Sequence, residues 1–285
     1  MTTETQSGFA VRRMERGELS LIREWATAEG WNPGLHDGPT FFAADPDGFF
    51  LGVCGGEPVA CISCVAYDDA FGFLGQYIVR PGFRGRGFGL AVWRAGLEHL
   101  GHRNVGLDGV VDQQENYRRS GFHFAHGHVR YRGIGGGEAS FDTVPLADVP
   151  FGDLVAFDRR HFPAARLDFL RHWISLPGAT ALGCVRDGKL VGYGAIRPAV
   201  EGFKIGPLFA EDPPIAHTIF RNLVANAAGQ PFVIDAPDGA SNPHFSEFIG
   251  TYKLEELFRT ARMYTEEVPT IALGQVYGVT SLELG

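Results

Sequence analysis

The chain has 285 residues, 45% hydrophobic and 20% charged, with 25 Lys plus Arg against 33 Asp plus Glu and a formal net charge of −8. At roughly 100–200 residues per domain, this length predicts two domains, each able to bury a core. The acidic balance argues against nucleic acid as a partner and favours cationic ligands such as amines; no apolar run reaches the ~18 residues of a membrane span, and the polar start Met1–Gly8 lacks the apolar stretch of a secretory leader, so a cytoplasmic protein with no membrane partner is expected.

Phe9–Arg13 reads as a first strand. In Gly17–Ala28, Leu19, Ile22, Trp25 and Ala26 recur at helical spacing, and the Gly- and Pro-rich Gly30–Pro39 reads as a loop. Phe49–Cys54 and Val59–Tyr67 are apolar runs around Gly55-Gly56-Glu57-Pro58, a hairpin signal. Cys61 and Cys64 have C-x-x-C spacing, but residues three apart on a strand face opposite ways, so they read as buried structural thiols ahead of a redox pair. Phe73–Val79 is a further strand, Pro81–Gly89 a glycine-rich turn, Leu90–His99 a helix and Val105–Asp108 a short strand. Gln113–Ser120 is a short helix that Gly121 caps.

Gly133–Gly137, with four glycines in five residues, is the expected linker, placing the domains at 1–135 and 136–285. Beyond it, Gly152–Phe157 and Arg166–Ser175 read as helices. Ala181–Arg186 and Leu190–Arg197 flank the hairpin turn Asp187-Gly188. Phe203–Phe209 (strand), Pro214–Ala228 (helix) and Phe232–Asp235 (strand) follow. The order repeats that of the first half, either as a degenerate duplication or as the recurrence of a common α/β arrangement.

Phe73–Gly89 is the most informative segment. A strand runs into Arg84-Gly85-Arg86-Gly87-Phe88-Gly89, which opens a helix. Glycines admit positive φ and close backbone approach, free amides at a helix start bind anions, and two arginines add charge-assisted bonds. The chemistry suits a pyrophosphate. A dinucleotide fingerprint fails because Leu90 stands where glycine is needed, and a Walker A loop fails because Phe88 replaces lysine.

Arg84-x-x-Gly87-x-Gly89 resembles the acetyl-CoA motif of the GCN5-related N-acetyltransferases, the GNAT superfamily. The approach strand ending Ile78-Val79-Arg80-Pro81 and the downstream Tyr117-Arg118-Arg119-Ser120-Gly121-Phe122 resemble it too. Gly30–Gly34, Leu107–Val110, Ile205–Leu208 and Thr260–Tyr264 are similar to a bacterial tandem subfamily, in which a GNAT domain is followed by a diverged one of the YitH/HolE type. The resemblance implies an α/β (α+β) fold of two GNAT-like domains, each a mixed, mostly antiparallel twisted sheet flanked by helices. It also implies acetyl-CoA as cosubstrate, without a metal.

On that resemblance, Arg84, Gly85, Arg86, Gly87, Phe88 and Gly89 hold the pyrophosphate, and the backbone of Ile78 and Val79 pairs with pantetheine. Asn116 stands in for the Asn that is frequent where Val110 occurs. Amines attack thioesters only when neutral, so a proton acceptor is needed, and a nearby acid helps the thiolate leave. Tyr117 is the candidate acid, or else a packing residue. Gln76 stands where many members carry a glutamate and cannot serve as base. Asp108, at a strand's carboxyl end, is the candidate base, or else binds the amine or caps a turn. Trp31, Asn32, His36 and Asp37 combine a π face, an amide, an imidazole and a carboxylate, which suits an amine pocket; an ordinary surface loop is the alternative. His126 and His128 share a strand face that His123 does not, with no set of ligands for a metal.

The second half lacks the turn. Ala210-Glu211-Asp212-Pro213-Pro214 occupies its place, with carboxylates that repel phosphate and prolines that lack amides. It is expected to cover the first domain, shape the pocket or form a homodimer, and Asp235, Arg197 and Arg262 are functional there or form structural ion pairs. The chain therefore reads as an acetyl-CoA-dependent N-acetyltransferase acting on a small-molecule primary amine. The alternatives are a protein lysine acetyltransferase and a catalytically inactive CoA-sensing or partner-binding module.

Overall fold

The computed structural model describes residues 8–140 and 142–285; the polar stretch 1–7 lies outside them. The first half contributes β1 (Phe9–Arg13), α1 (Leu19–Ala28), α2 (Asp37–Ala44), β2 (Phe49–Cys54), β3 (Glu57–Ala66), β4 (Phe71–Val79), α3 (Phe88–Leu100), β5 (Asn104–Val110), α4 (Gln114–Arg119) and β6 (His123–Ile134). The second contributes β7 (Val144–Pro145), α5 (Phe151–Asp158), α6 (Leu167–Trp173), β8 (Thr180–Arg186), β9 (Lys189–Pro198), β10 (Phe203–Ala210), α7 (Pro213–Ala225), β11 (Pro231–Pro237), α8 (Phe245–Tyr252), β12 (Glu255–Tyr264) and β13 (Val276–Gly278). No helix of the described residues is long and apolar enough to cross a membrane.

Alternation along β2 and β3 builds two layers. Phe49, Leu51 and Cys61 turn to one face, with Leu19, Ile22 and Ala26 of α1. Phe50, Ile62 and Cys64 turn to the other, against Val92 and Trp93 of α3. Cys61 and Cys64 thus lie in different cores, as strand geometry requires, and burial pushes the Cys61 thiol up to about 12. Both are inert packing groups.

The strands form one sheet, in the order β1-β2-β3-β4-β5-β12-β6-β11-β10-β9-β8-β7, with β13 paired to β10. Pairing is antiparallel except β4 with β5 and β10 with β11, which occupy matching places in the two halves. The halves exchange strands at the centre. β12, from the end of the chain, lies between β5 and β6, and β6 lies between β12 and β11.

Two local readings change. β6 runs straight through the first of the glycines expected to form a linker. Gly133 pairs with Phe232, and a Cβ there would come within 2.5 Å of the Phe232 ring. Close packing, not slack, demands glycine at that point. The stretch read as a loop to Pro39 turns helical at Asp37. Pro39 sits in the first turn of α2, where a missing N–H costs nothing, and Phe41 stacks on Trp173 of α6 at 5.9 Å.

Candidate active site

β4 and β5 run parallel only from Phe71 and Asn104 to Leu74 and Leu107. Beyond that they splay, because Gln76 and Tyr77 both face Ile62 in a bulge, with Gln76 at φ +49°. The splay opens a cavity of about 730 Å³. Ile78 and Val79 line it, with no strand neighbour on the β5 side.

At one end stands the glycine-rich turn. Gly85 and Gly87 adopt φ +75° and +84°, which side chains rarely allow. Gly87 is the N-cap of α3, and no side chain caps the helix start or places an acid in its first turn. Those amides are free for an anion, with the dipole favouring it. Gly85, Gly87, Phe88 and Gly89 line the cavity with Arg84. Arg84 donates from Nε to the Val79 carbonyl at 2.8 Å, and its other end pairs with Glu29. Arg86 does not line the cavity; its guanidinium lies over the Phe88 ring at 4.8 Å. The uncapped start, the positive-φ glycines and Arg84 fit a pyrophosphate.

Tyr117 and Asn116 of α4 line the same cavity. The Tyr117 ring stacks on Trp93 at 5.8 Å, and burial, with Tyr77 adding, pushes its phenol up to about 12. The phenol therefore keeps its proton at physiological pH. Asn116 donates to Gln113 Oε1 at 2.7 Å.

Residues 16–123 match the acetyltransferase (GNAT) family, and residues 154–278 match the acetyltransferase (GNAT) domain family. The holothin acyltransferase of Pseudoalteromonas sp. (strain SANK 73390) is 32% identical over 94% of this chain and 92% of its own length. The chain is a GNAT acyltransferase. The uncharacterized N-acetyltransferase YitH of Bacillus subtilis (strain 168) is 25% identical over 81% of the chain and 82% of its own. A putative acetyltransferase from Pyrococcus horikoshii shares the fold at a TM-score of 0.85 and 21% identity, covering 99% of this chain and 98% of that one.

The other residues singled out from the sequence of this GNAT protein divide sharply. Asp108 belongs to the cavity wall, but its carboxylate is spent. Oδ1 accepts from Arg262 Nε at 3.0 Å and bonds His128 Nδ1 at 2.8 Å, and Oδ2 accepts from Arg262 Nη2 at 2.6 Å. Burial alone would raise its pKa, yet Arg262 and His128 hold the carboxyl far below the usual range. His126 meets His128 at 3.2 Å, and burial, with His128 and Arg262 near, pushes it down to about 3. This is a buried ion-pair network. Of the loop residues only Trp31 lines the cavity. Asn32 exchanges two hydrogen bonds with the Glu201 backbone, His36 is exposed, and buried Asp37 forms a bidentate pair with Arg197 at 2.8 and 3.0 Å. Asn32 and Asp37 fasten the two halves together.

In the second half the matching place is occupied by a strand. Beyond the end of its parallel pair at Ile205 and Ile234, β13 pairs with β10 at Leu208 and Phe209 and fills the splay. At the helix start, Asp212 accepts from the Ile215 amide at 2.9 Å, and prolines occupy the first two helical positions. The place of an anion is taken by the chain's own carboxylate.

In return the second half completes the first half's wall. Phe258 and Thr260 of β12, and Leu282 and Glu283 near the C-terminus, line the cavity beside Arg130 of β6. Of these only Thr260 falls in a segment that the sequence singled out, and it is the strand exchange and the path of the last residues that bring them together. Near the C-terminus, an acid–apolar alternation in Ser281-Leu282-Glu283-Leu284 was the one available signal.

Proposed function

We propose that this GNAT acyltransferase moves an acetyl group from acetyl-CoA to a primary amine of a small molecule, by direct attack on the thioester, at one site in the first half. The observation that carries this reading is a single cavity joining the Arg84–Gly89 turn, the splayed end of β4 and Tyr117, while the second half's counterpart is filled.

The α3 amides and Arg84 hold the pyrophosphate. The backbone at Ile78 and Val79 aligns the pantetheine arm, and bound acetyl-CoA supplies the activated acyl group. The amine, having lost a proton to water, forms the new C–N bond as the C–S bond breaks. Tyr117 donates its phenolic proton to the departing sulfur, and the proton that the acylated nitrogen then sheds returns the phenol to its neutral form. Asp108, with both oxygens occupied, is left out of the proton path and stiffens the wall instead.

A calorimetric titration of the full-length protein with acetyl-CoA tests the reading. One site per chain, lost in Arg84→Ala, is the expected result. Two sites would show the second half to be competent, and no binding would remove acetyl-CoA from the assignment.

A further inference from the structure

Five buried side-chain atoms find no hydrogen-bond partner among the described residues, and three of them belong to residues that line the cavity: Gln76 Oε1, Thr260 Oγ1 and Glu283 Oε2. They come from three distant places, the bulge of β4, the exchanged strand β12 and the end of the chain. An unpaired buried polar atom is unfavourable, and an unpaired carboxylate oxygen more so. Three on residues that line one cavity mark a place kept for a ligand rich in donors.

Glu283 is held there firmly. Its backbone lies against β4, where a Cβ on Gly75 would meet the Glu283 carbonyl oxygen at 1.9 Å. Next to it, the Tyr67 hydroxyl donates to the Leu284 carbonyl at 2.9 Å, and the Leu284 amide donates to Ser281 Oγ at 3.0 Å. Oε1 faces Lys204 Nζ at 3.4 Å, which leaves Oε2 unshared. Burial would raise the Glu283 carboxyl, but Lys204, then Arg130 and Arg197, outweigh it and keep the group ionised. The neighbouring cations are not free for an acidic ligand. Arg130 is committed to Asp235 at 2.6 and 2.7 Å and to the Trp31 carbonyl at 2.6 Å, and Arg197 to Asp37. The remaining wall at this end, Trp31, Phe258 and Leu282, is aromatic or apolar.

We infer that Glu283, assisted by Gln76 and Thr260, binds the amino group of the acceptor, and that the acceptor is a primary amine carried on an apolar, planar body. The inference rests on the acyl-transfer reading of this cavity. An entering ammonium offers three N–H donors to three acceptor atoms, and the carboxylate supplies its counter-charge. The role is one of binding and orientation: Glu283 fixes the nitrogen, and the proton still leaves to water before attack.

The test uses the full-length protein with acetyl-CoA, following thiol release with benzylamine, tyramine, spermidine and glucosamine. Benzylamine or tyramine should be the better acceptor. Glu283→Gln should raise the amine KM at least tenfold, with a smaller change in kcat and an unchanged Kd for acetyl-CoA. Thr260→Val, which leaves Lys204 its partner, should raise the same KM several-fold and guards against a Glu283→Gln variant that fails to fold. An amine KM indifferent to both variants would overturn the inference, as would a preference for spermidine or glucosamine. Acetyl-CoA binding with no turnover of any of the four would overturn it while sparing the cofactor assignment. Absent acetyl-CoA binding by the wild type would instead sink the acyl-transfer reading itself.

Discussion

At single residues, the two side chains that the sequence offered as acid and base have opposite environments. Tyr117 is only half-buried and faces the cavity, whereas Asp108 has a fully buried side chain and is bound on both oxygens. Tyr117→Phe should therefore lower kcat by about 10²-fold or more with little change in acetyl-CoA affinity, read by steady-state rates beside calorimetry. Because burial pushes this phenol up to about 12, it stays protonated through pH 10, and kcat should show no alkaline fall below that point from loss of the acid. Asp108 belongs to stability. Its folded pKa lies below its unfolded value of about 3.9, so its contribution is present above that pH and is lost as pH falls towards the folded value. Asp108→Asn leaves Arg262 buried without its counter-charge and should cost about 3–5 kcal/mol at neutral pH. Denaturant midpoints measured from pH 7 to 3 should fall less steeply in the variant than in the wild type.

The elements were legible wherever local chemistry decides them. The hairpins at Gly55–Pro58 and Asp187-Gly188, the strand into the glycine-rich turn and the helix after it all stand where spacing and turn residues put them. The residues of the glycine-rich turn also gather on the cavity where their sequence order puts them, because a run of consecutive amides is set locally. Arg86 is the exception: beside Arg84 in sequence, it is drawn onto the Phe88 and Phe83 rings. The far wall of the cavity was hardly legible. Residues from β6, β12 and the last turn of chain meet there through long-range pairing, which no local period reports. Nor could the second half's filled slot be seen as more than a missing motif, since β13 reaches it across a long gap in sequence. One glycine reports on this meeting of elements. Gly75→Ala places a methyl against the Glu283 backbone, which has no flexible side chain to yield. The expected result is a displaced C-terminal segment, seen as faster hydrogen exchange over residues 279–285, together with a loss of amine turnover larger than any loss of acetyl-CoA affinity. Gly82→Ala, whose Cβ would meet nothing within 4 Å, should leave both unchanged.

Over the whole molecule, the strand exchange decides why a half whose splay is filled stays attached to one whose splay opens into a cavity. β12 pairs along its length with β6 and over its second part with β5, so the first half's last two strands are joined only through the second half. Cut at the glycine-rich segment, residues 1–137 would carry two unpaired strand edges where β12 stood, and residues 138–285 would lose β6 from between β11 and β12. The Arg130–Asp235 and Arg197–Asp37 pairs, each joining the halves, would break as well and leave buried charges uncompensated. Neither fragment should fold alone, and the intact chain should unfold in one cooperative transition despite its two domains. Circular dichroism and amide dispersion on the separate and co-expressed fragments check this. Co-expression should restore one complex that binds acetyl-CoA with full-length affinity, since β12 can enter its place from a separate chain. A fragment 1–137 that unfolds cooperatively by itself would show the exchange to be dispensable, and would leave the second half's residues in the cavity wall as its one contribution to the site.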